Sequence, residues 1–311
     1  MLGRMVCNDT QSVRLLSLDS SLGSFASPHT SVAANDAMAR RLGAMDSLCE
    51  RFARDGFVGP VDVLSDGEVE EVRAAVAEVV QDLDRHRDRL YEVEQAFTDR
   101  PDEVVCHFLG GFRVHETLRK LIANERITKL CADLLGVDRL RFWHDQVFAK
   151  PPHHRGVVPW HQDYSYWTRT EPVCHITCNL LLDDSDEQSG CLQFVPGSHR
   201  WPLLPSLPFD SPLDAIREHL PADASFEPVA VPVRAGQATF HHSYTLHGSD
   251  QNRSDHWRRA AVCNYMGADV RVADGSKPLL RGVPLLATGA VVTGENFPIV
   301  FDRDRASRHR A

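Results

Sequence analysis

The 311-residue sequence has no apolar run approaching the roughly 18 residues a membrane helix requires. Its longest early apolar stretch, Leu15-Leu16-Ser17-Leu18, is too short for the core of a signal peptide. A cytoplasmic protein is the resulting expectation, with no membrane partner. Positive charge is also scarce: 34 Lys and Arg stand against 43 Asp and Glu, a net charge of −9. Binding to nucleic acid rests on clustered Lys and Arg against phosphate, so that class of partner is excluded. No Gly-x-x-x-x-Gly-Lys loop, no Gly-x-Ser-x-Gly elbow, no internal repeat and no low-complexity tract occur. The 8 cysteines are scattered through a chain too long to need disulfide staples, which fits a reducing compartment.

The chain opens on residues 1–37 without sustained periodicity, a loosely ordered leader by expectation. One domain is expected over residues 38–302, and a basic, disordered tail over 303–311. From Met38 the spacing of Leu42, Met45, Leu48 and Phe52 suits one helix face, with Gly56 placed to stop it. Ser65 and Glu68 form a capping box ahead of Val69, Val72, Val76, Val79, Val80 and Leu83. A third helix is expected from Glu116 to Leu135. Beyond Arg139 the texture changes to short runs of Val, Phe, Trp and Thr, and strands are expected at 140–149, 157–163, 173–182, 191–195, 228–233, 237–242 and 259–267. The fold class is therefore mainly β with flanking α-helices, a jelly roll. The stretch from Pro202 to Pro228 carries six prolines around a short helical pattern at Leu213, Ile216 and Leu220. It reads as a long insertion, and a lid over one end of the barrel is one role for it.

With 16 histidines, the question is which of them share a site. His86-Arg-Asp lies in a charged helical run, where residues two apart do not face one another. His161-Gln-Asp163 lies in the strand-like Val157-Val-Pro-Trp-His-Gln-Asp-Tyr, where i and i+2 share a face. One imidazole and one carboxylate then converge. The segment Gly236–Ser249 offers His241, His242 and His247 as a third ligand. Two imidazoles and one carboxylate on one face of a metal leave three positions free, the arrangement of non-haem Fe(II) oxygenases. Cys174, His175 and Cys178 alternate within an apolar strand run and are expected to be core rather than a zinc site.

Several segments together resemble the phytanoyl-CoA dioxygenase (PhyH) family of Fe(II)/2-oxoglutarate oxygenases: Phe52-Ala-Arg-Asp-Gly-Phe-Val, His144-Asp-Gln-Val-Phe-Ala-Lys-Pro-Pro, Pro159-Trp-His-Gln-Asp-Tyr-Ser-Tyr-Trp, Gly190-Cys-Leu-Gln-Phe-Val-Pro-Gly-Ser-His, and His247-Gly-Ser-Asp-Gln-Asn-Arg-Ser-Asp-His-Trp-Arg-Arg. The resemblance runs from about Phe52 to Asp302. It implies a double-stranded β-helix (a cupin-like barrel) and makes His161, Asp163 and His247 the iron ligands. It also implies that Arg258, eleven residues after the distal His, binds the far carboxylate of 2-oxoglutarate, and that Gln146 touches the same cosubstrate. A planar guanidinium pairs two-pronged with a carboxylate, which favours Arg over Lys there. Arg259 should face the opposite way.

Asn179 stands where phytanoyl-CoA hydroxylase itself carries a Trp beside the cosubstrate, so the resemblance is to the family and not to that enzyme. Asp163 is the residue that family halogenases replace by a small one, so hydroxylation is the favoured outcome over halogenation. Desaturation on the same scaffold and a non-catalytic jelly-roll binding protein are the other readings. The expected cofactors are Fe(II), with 2-oxoglutarate and O₂ as cosubstrates, and the expected partner is a small, hydrophobic or ring-bearing molecule. Trp160, Tyr164, Tyr166 and Asn179 are the candidates to line its pocket. The excess of Arg over the four Lys, at 120, 129, 150 and 277, hints at a GC-rich genome and a tailoring step on a secondary metabolite.

Overall fold

The computed structural model describes residue 45 and residues 47–308. The leader 1–37 and Leu42 of the first helix face lie outside the described residues. Residues 47–55 are helical, with Met45 and Leu48 against the core and Phe52 buried in it. Gly56 ends this helix at φ +84°; a Cβ there would stand 2.4 Å from His199 Nδ1, so both conformation and space demand glycine. The helix Asp66–Gln81 follows, with Glu68 Oε2 accepting from Ser65 N at 2.8 Å as the capping box requires. The third expected helix is two, Glu116–Leu121 and Glu125–Leu135. Asn124 caps the second by accepting from Arg126 N and Ile127 N, a competing backbone partner that breaks the run.

The strands are β1 Phe57–Asp62, β2 Glu92–Val93, β3 Cys106–Leu109, β4 Arg139–Lys150, β5 Val158–His161, β6 Thr170–Glu171, β7 His175–Leu181, β8 Leu192–Phe194, β9 Val229–Ala230, β10 Gln237–His242, β11 His247–Ser249, β12 Arg258–Gly267, β13 Arg271–Val272 and β14 Ile299–Asp302. The large antiparallel sheet runs β1-β10-β7-β12-β4-β3-β2, with β14 also on β4, and the small sheet runs β5-β11-β8-β9. These two sheets form the double-stranded β-helix, and the helices pack outside it through Val72, Val76, Ile127 and Leu130. β1 was not expected, because Gly59 and Pro60 interrupt its sequence. It pairs only with β10, and an edge strand tolerates the missing donor of a proline. The strand expected at 228–233 shrinks to Val229–Ala230.

The proline-rich insertion packs on the outside of the small sheet. Ile216 is fully buried with Trp160, Val195, Leu204 and Leu246, and Trp160 N donates to Leu213 O at 3.1 Å. Residues Arg303–Arg308, expected as part of a disordered tail, form a short helix instead, because Arg303 pairs with Asp133 at 2.8 Å and Asp138 at 3.0 Å. Among the described residues no helix is long and apolar enough to cross a membrane.

Candidate active site

Strand register builds the site. On the small sheet His161 of β5 stands directly opposite His247 of β11. β5 ends at His161, and Asp163 begins a 3₁₀ turn over Asp163–Tyr166 rather than continuing the strand. Gln162 between them keeps extended angles (φ −103°, ψ 127°), so residues 161 and 163 still project to one side. Among the described residues, His161, Asp163 and His247 form the one cluster of three or more such side chains placed to share a metal ion, with ligand atoms within 4.8 Å of one another.

The two imidazoles are oriented alike. His161 Nδ1 meets Pro159 O at 2.7 Å and His247 Nδ1 meets Thr245 O at 2.9 Å. A carbonyl only accepts, so each Nδ1 carries the proton and each Nε2 presents a lone pair. Those Nε2 atoms lie 3.4 Å and 3.8 Å from Asp163 Oδ1. Two lone pairs facing a carboxylate oxygen repel unless a cation lies among them, so this donor set suits a metal. Burial holds the His247 imidazole well below its ordinary pKa, that is, neutral. Burial alone would raise the Asp163 carboxyl, but the neighbouring His247 and the hydrogen bond from His241 hold it well below the usual range, that is, ionised.

The large sheet forms the facing wall. Gln146 of β4, Val262 of β12, Asn179 of β7 and Thr239 of β10 are successive register partners, and the first three line the cavity. Phe148, Val158 and Leu192 complete its apolar wall. Arg258, first residue of β12, is 2 % exposed and also lines it, with Nε and Nη2 lacking any partner. Burial pushes its guanidinium down to about 10, still charged at neutral pH. A buried, charged fork with two free N–H groups is matched by a carboxylate entering the cavity. Asn179 Nδ2 is likewise buried without a partner. Arg259 faces the other way and pairs with Asp183, Nη2 to Oδ1 at 2.7 Å and Nε to Oδ2 at 2.8 Å. Gln146 Oε1 meets His107 Nε2 at 2.8 Å, which leaves the amide N–H groups for the cavity.

The pocket candidates divide. Asn179 lines the cavity, and Tyr166 is half exposed with its ring 5.8 Å from that of His161. Trp160 and Tyr164 do not line it. Trp160 faces away from His161, as adjacent strand residues must, and packs under the insertion against Phe226. Tyr164 is buried, and its hydroxyl donates to Thr170 O. His175 and Cys178 belong to the core. His241, one of the three candidates for the third ligand, stands beside the cluster, its Nε2 3.1 Å from Asp163 Oδ2; Thr177, whose hydroxyl donates to the same oxygen at 2.6 Å, is the residue that the sequence did not single out. The available signal was polar residues at inward positions of apolar strands: Thr177 and Asn179, Asn264 two steps from Val262, and His241.

A double-stranded β-helix carrying two histidines and one aspartate around an open cavity defines the class of non-haem iron oxygenases. The chain belongs to the phytanoyl-CoA dioxygenase (PhyH) family, whose model matches residues 52–260. It is 25 % identical over 263 residues to the phytanoyl-CoA dioxygenase domain-containing protein 1 homolog of Caenorhabditis briggsae, covering 71 % of this chain and 91 % of that protein. Among solved structures it resembles the alpha ketoglutarate dependent epimerase SnoN from nogalamycin biosynthesis, at TM-score 0.65 and 26 % identity over 83 % of this chain and 98 % of that one. The carbocyclase SnoK from the same biosynthesis matches at TM-score 0.65 and 27 % identity, over 81 % and 95 %. The chain is therefore an Fe(II)- and 2-oxoglutarate-dependent dioxygenase acting on a small molecule.

Proposed function

We propose that the protein hydroxylates a small, ring-bearing and mainly hydrophobic molecule as a tailoring step in secondary metabolism. His161, Asp163 and His247 would hold the iron. Arg258 binds the far carboxylate of 2-oxoglutarate, Gln146 donates an amide hydrogen to its oxoacid end, and Asn179 offers its free Nδ2 to the same molecule. Iron held there supplies the oxidising chemistry with O₂ and 2-oxoglutarate as co-reactants. The protein's part is to orient these groups and to keep the cavity dry with Phe148, Val158, Leu192 and Val262. The observation that carries this reading is the unpaired guanidinium of Arg258 in the same cavity as the metal cluster.

The substrate class rests on the mouth. Tyr166 stands at the edge of the His161 ring, and His107 is stacked between Phe148 (4.4 Å) and Phe209 of the insertion (4.9 Å). Flat aromatic walls favour a ring over a flexible chain, and the neighbours SnoN and SnoK belong to nogalamycin biosynthesis. The insertion reaches this mouth through Phe209 and through Leu207 O, which accepts from Tyr166 at 2.7 Å, and these contacts support a lid role for it. The test is succinate production with Fe(II), 2-oxoglutarate and O₂ against a panel of acceptors. Ring-bearing acceptors should stimulate turnover; stimulation by linear acyl chains or free amino acids alone would refute the substrate class.

A further inference from the structure

A row of four polar side chains crosses the large sheet directly behind the metal cluster. His144 of β4 pairs in register with Asn264 of β12, Asn264 with Thr177 of β7, and Thr177 with His241 of β10. Register partners share a face, so all four point inward, and each is at most 3 % exposed. We propose that this row positions Asp163 as a one-oxygen metal ligand, by occupying its Oδ2 with hydrogen bonds from Thr177 and His241 and leaving Oδ1 alone for the metal.

Hydrogen counting gives the row a direction. Thr177 Oγ1 lies 2.6 Å from Asp163 Oδ2 and 2.8 Å from Asn264 Oδ1, yet a hydroxyl has one proton to give. The carboxylate can only accept, so it receives that proton. The two ends of a carboxamide exchange places by a half-turn, and only with its nitrogen toward Thr177 does Asn264 complete the row. Its oxygen then accepts from His144 Nδ1, 3.2 Å from the other end of the amide. Donation thus runs from His144 through Asn264 and Thr177 to Asp163. His241 arrives from the opposite side, its Nε2–H donating to the same Oδ2 at 3.1 Å.

Stability alone does not account for such a row. Four buried polar groups occupy positions that a barrel core fills with apolar side chains, and His241 Nδ1 has no partner at all, which costs free energy. A carboxylate with both oxygens free can chelate or swing. One whose second oxygen is taken by two donors presents a single oxygen at a fixed angle. The next inward row, Gln146-Val262-Asn179-Thr239, faces the cosubstrate cavity, so the sheet places one polar row behind the ligand and the next along the pocket.

This inference rests on the proposed metal site, and Co(II) binding to the metal-free protein tests both. Wild type should bind Co(II) tightly and His247→Ala should not; if they bind alike, the site reading fails and this inference falls with it. Given that difference, Thr177→Val and His241→Phe should each weaken Co(II) binding by about 10- to 100-fold. Both should alter the visible Co(II) spectrum, as the carboxylate changes from one oxygen to two. Thr177→Ser should restore the wild-type spectrum and affinity, and the unfolding temperature of metal-free Thr177→Val should stay near that of wild type. Wild-type affinity and spectrum in both Thr177→Val and His241→Phe would overturn the proposal. So would a loss in Thr177→Val that tracks only its unfolding temperature. If Thr177→Val does not fold, the pair Thr177→Ser and His241→Gln decides the question by spectrum alone: Ser must keep the wild-type bands, and unchanged bands in His241→Gln would overturn the role of His241.

Discussion

Replacing Arg258 by Ala separates two consequences of burying a charge. In the protein without cosubstrate, the guanidinium is 2 % exposed and two of its nitrogens have no partner. The variant therefore loses packing but also loses an unpaired buried charge, and its unfolding temperature should change little. With 2-oxoglutarate present the balance reverses. Leaving one member of a buried ion pair without its partner costs on the order of 3–5 kcal/mol. At about 1.4 kcal/mol per factor of ten, the dissociation constant should rise at least about a hundredfold. Thermal unfolding against 2-oxoglutarate reads this directly. At a concentration about 100 times the wild-type constant, the ligand adds about 2.7 kcal/mol to wild type, whereas a variant weakened a hundredfold gains only about 0.4 kcal/mol. Arg258→Lys should recover part of the gain, because an ammonium gives one strong contact where the fork gives two. Arg259→Ala should lose stability with its Asp183 pair yet keep the full response to 2-oxoglutarate. A full response in Arg258→Ala, or its loss in Arg259→Ala alone, would refute the reasoning.

Three further outcomes are expected. His247→Ala should abolish iron-dependent succinate production while retaining the far-ultraviolet dichroism of wild type, because the side chain faces a cavity; retained turnover would contradict its role. Burial pushes the Asp145 carboxyl up to about 7. The neutral form is thus favoured in the folded protein, and that stability, on the order of 4 kcal/mol, is present below pH 4 and lost as pH rises to about 7. Asp145→Asn does not titrate, so its denaturant midpoint relative to wild type should climb between pH 4 and 7 and level off above; a flat difference would refute the shift. If the insertion is the lid, hydrogen exchange over residues 202–228 should slow when substrate and 2-oxoglutarate bind together, and Phe209→Ala should remove that slowing; unchanged exchange in wild type would reduce the segment to a surface crossover.

Local periodicity carried much of the architecture. The capping box at Ser65, the alternation through β10 and the apolar run of β7 are visible in sequence because each is set by neighbours one to four residues away. The edge strand β1 was hidden because its Pro60 is tolerable only where a strand lacks a second neighbour, a property of the sheet and not of the segment. The break at Asn124 was hidden for a related reason: helical periodicity continues across it, and only the side chain's competition for backbone N–H groups ends the first helix. In the site, the residues aligned by family motif, His161, Asp163, His247, Arg258 and Gln146, converge on one cavity. The aromatic candidates were harder. Trp160 is adjacent to His161 in sequence and for that reason on the other face of its strand. Thr177 and His241 gain their meaning only through a register that joins β7 to β10 across 64 residues of chain, 241 minus 177.

Iron held by His161, Asp163 and His247, with 2-oxoglutarate anchored by Arg258 beside it, would have a visible spectroscopic signature. The most direct measurement is the visible absorption that develops when Fe(II) and 2-oxoglutarate are added together to the metal-free protein without oxygen. Wild type should develop a charge-transfer band that needs both additions, is absent in His247→Ala, and in Arg258→Ala is recovered only at about a hundredfold or more higher 2-oxoglutarate. No band in wild type, or an undiminished band in His247→Ala, would contradict this arrangement.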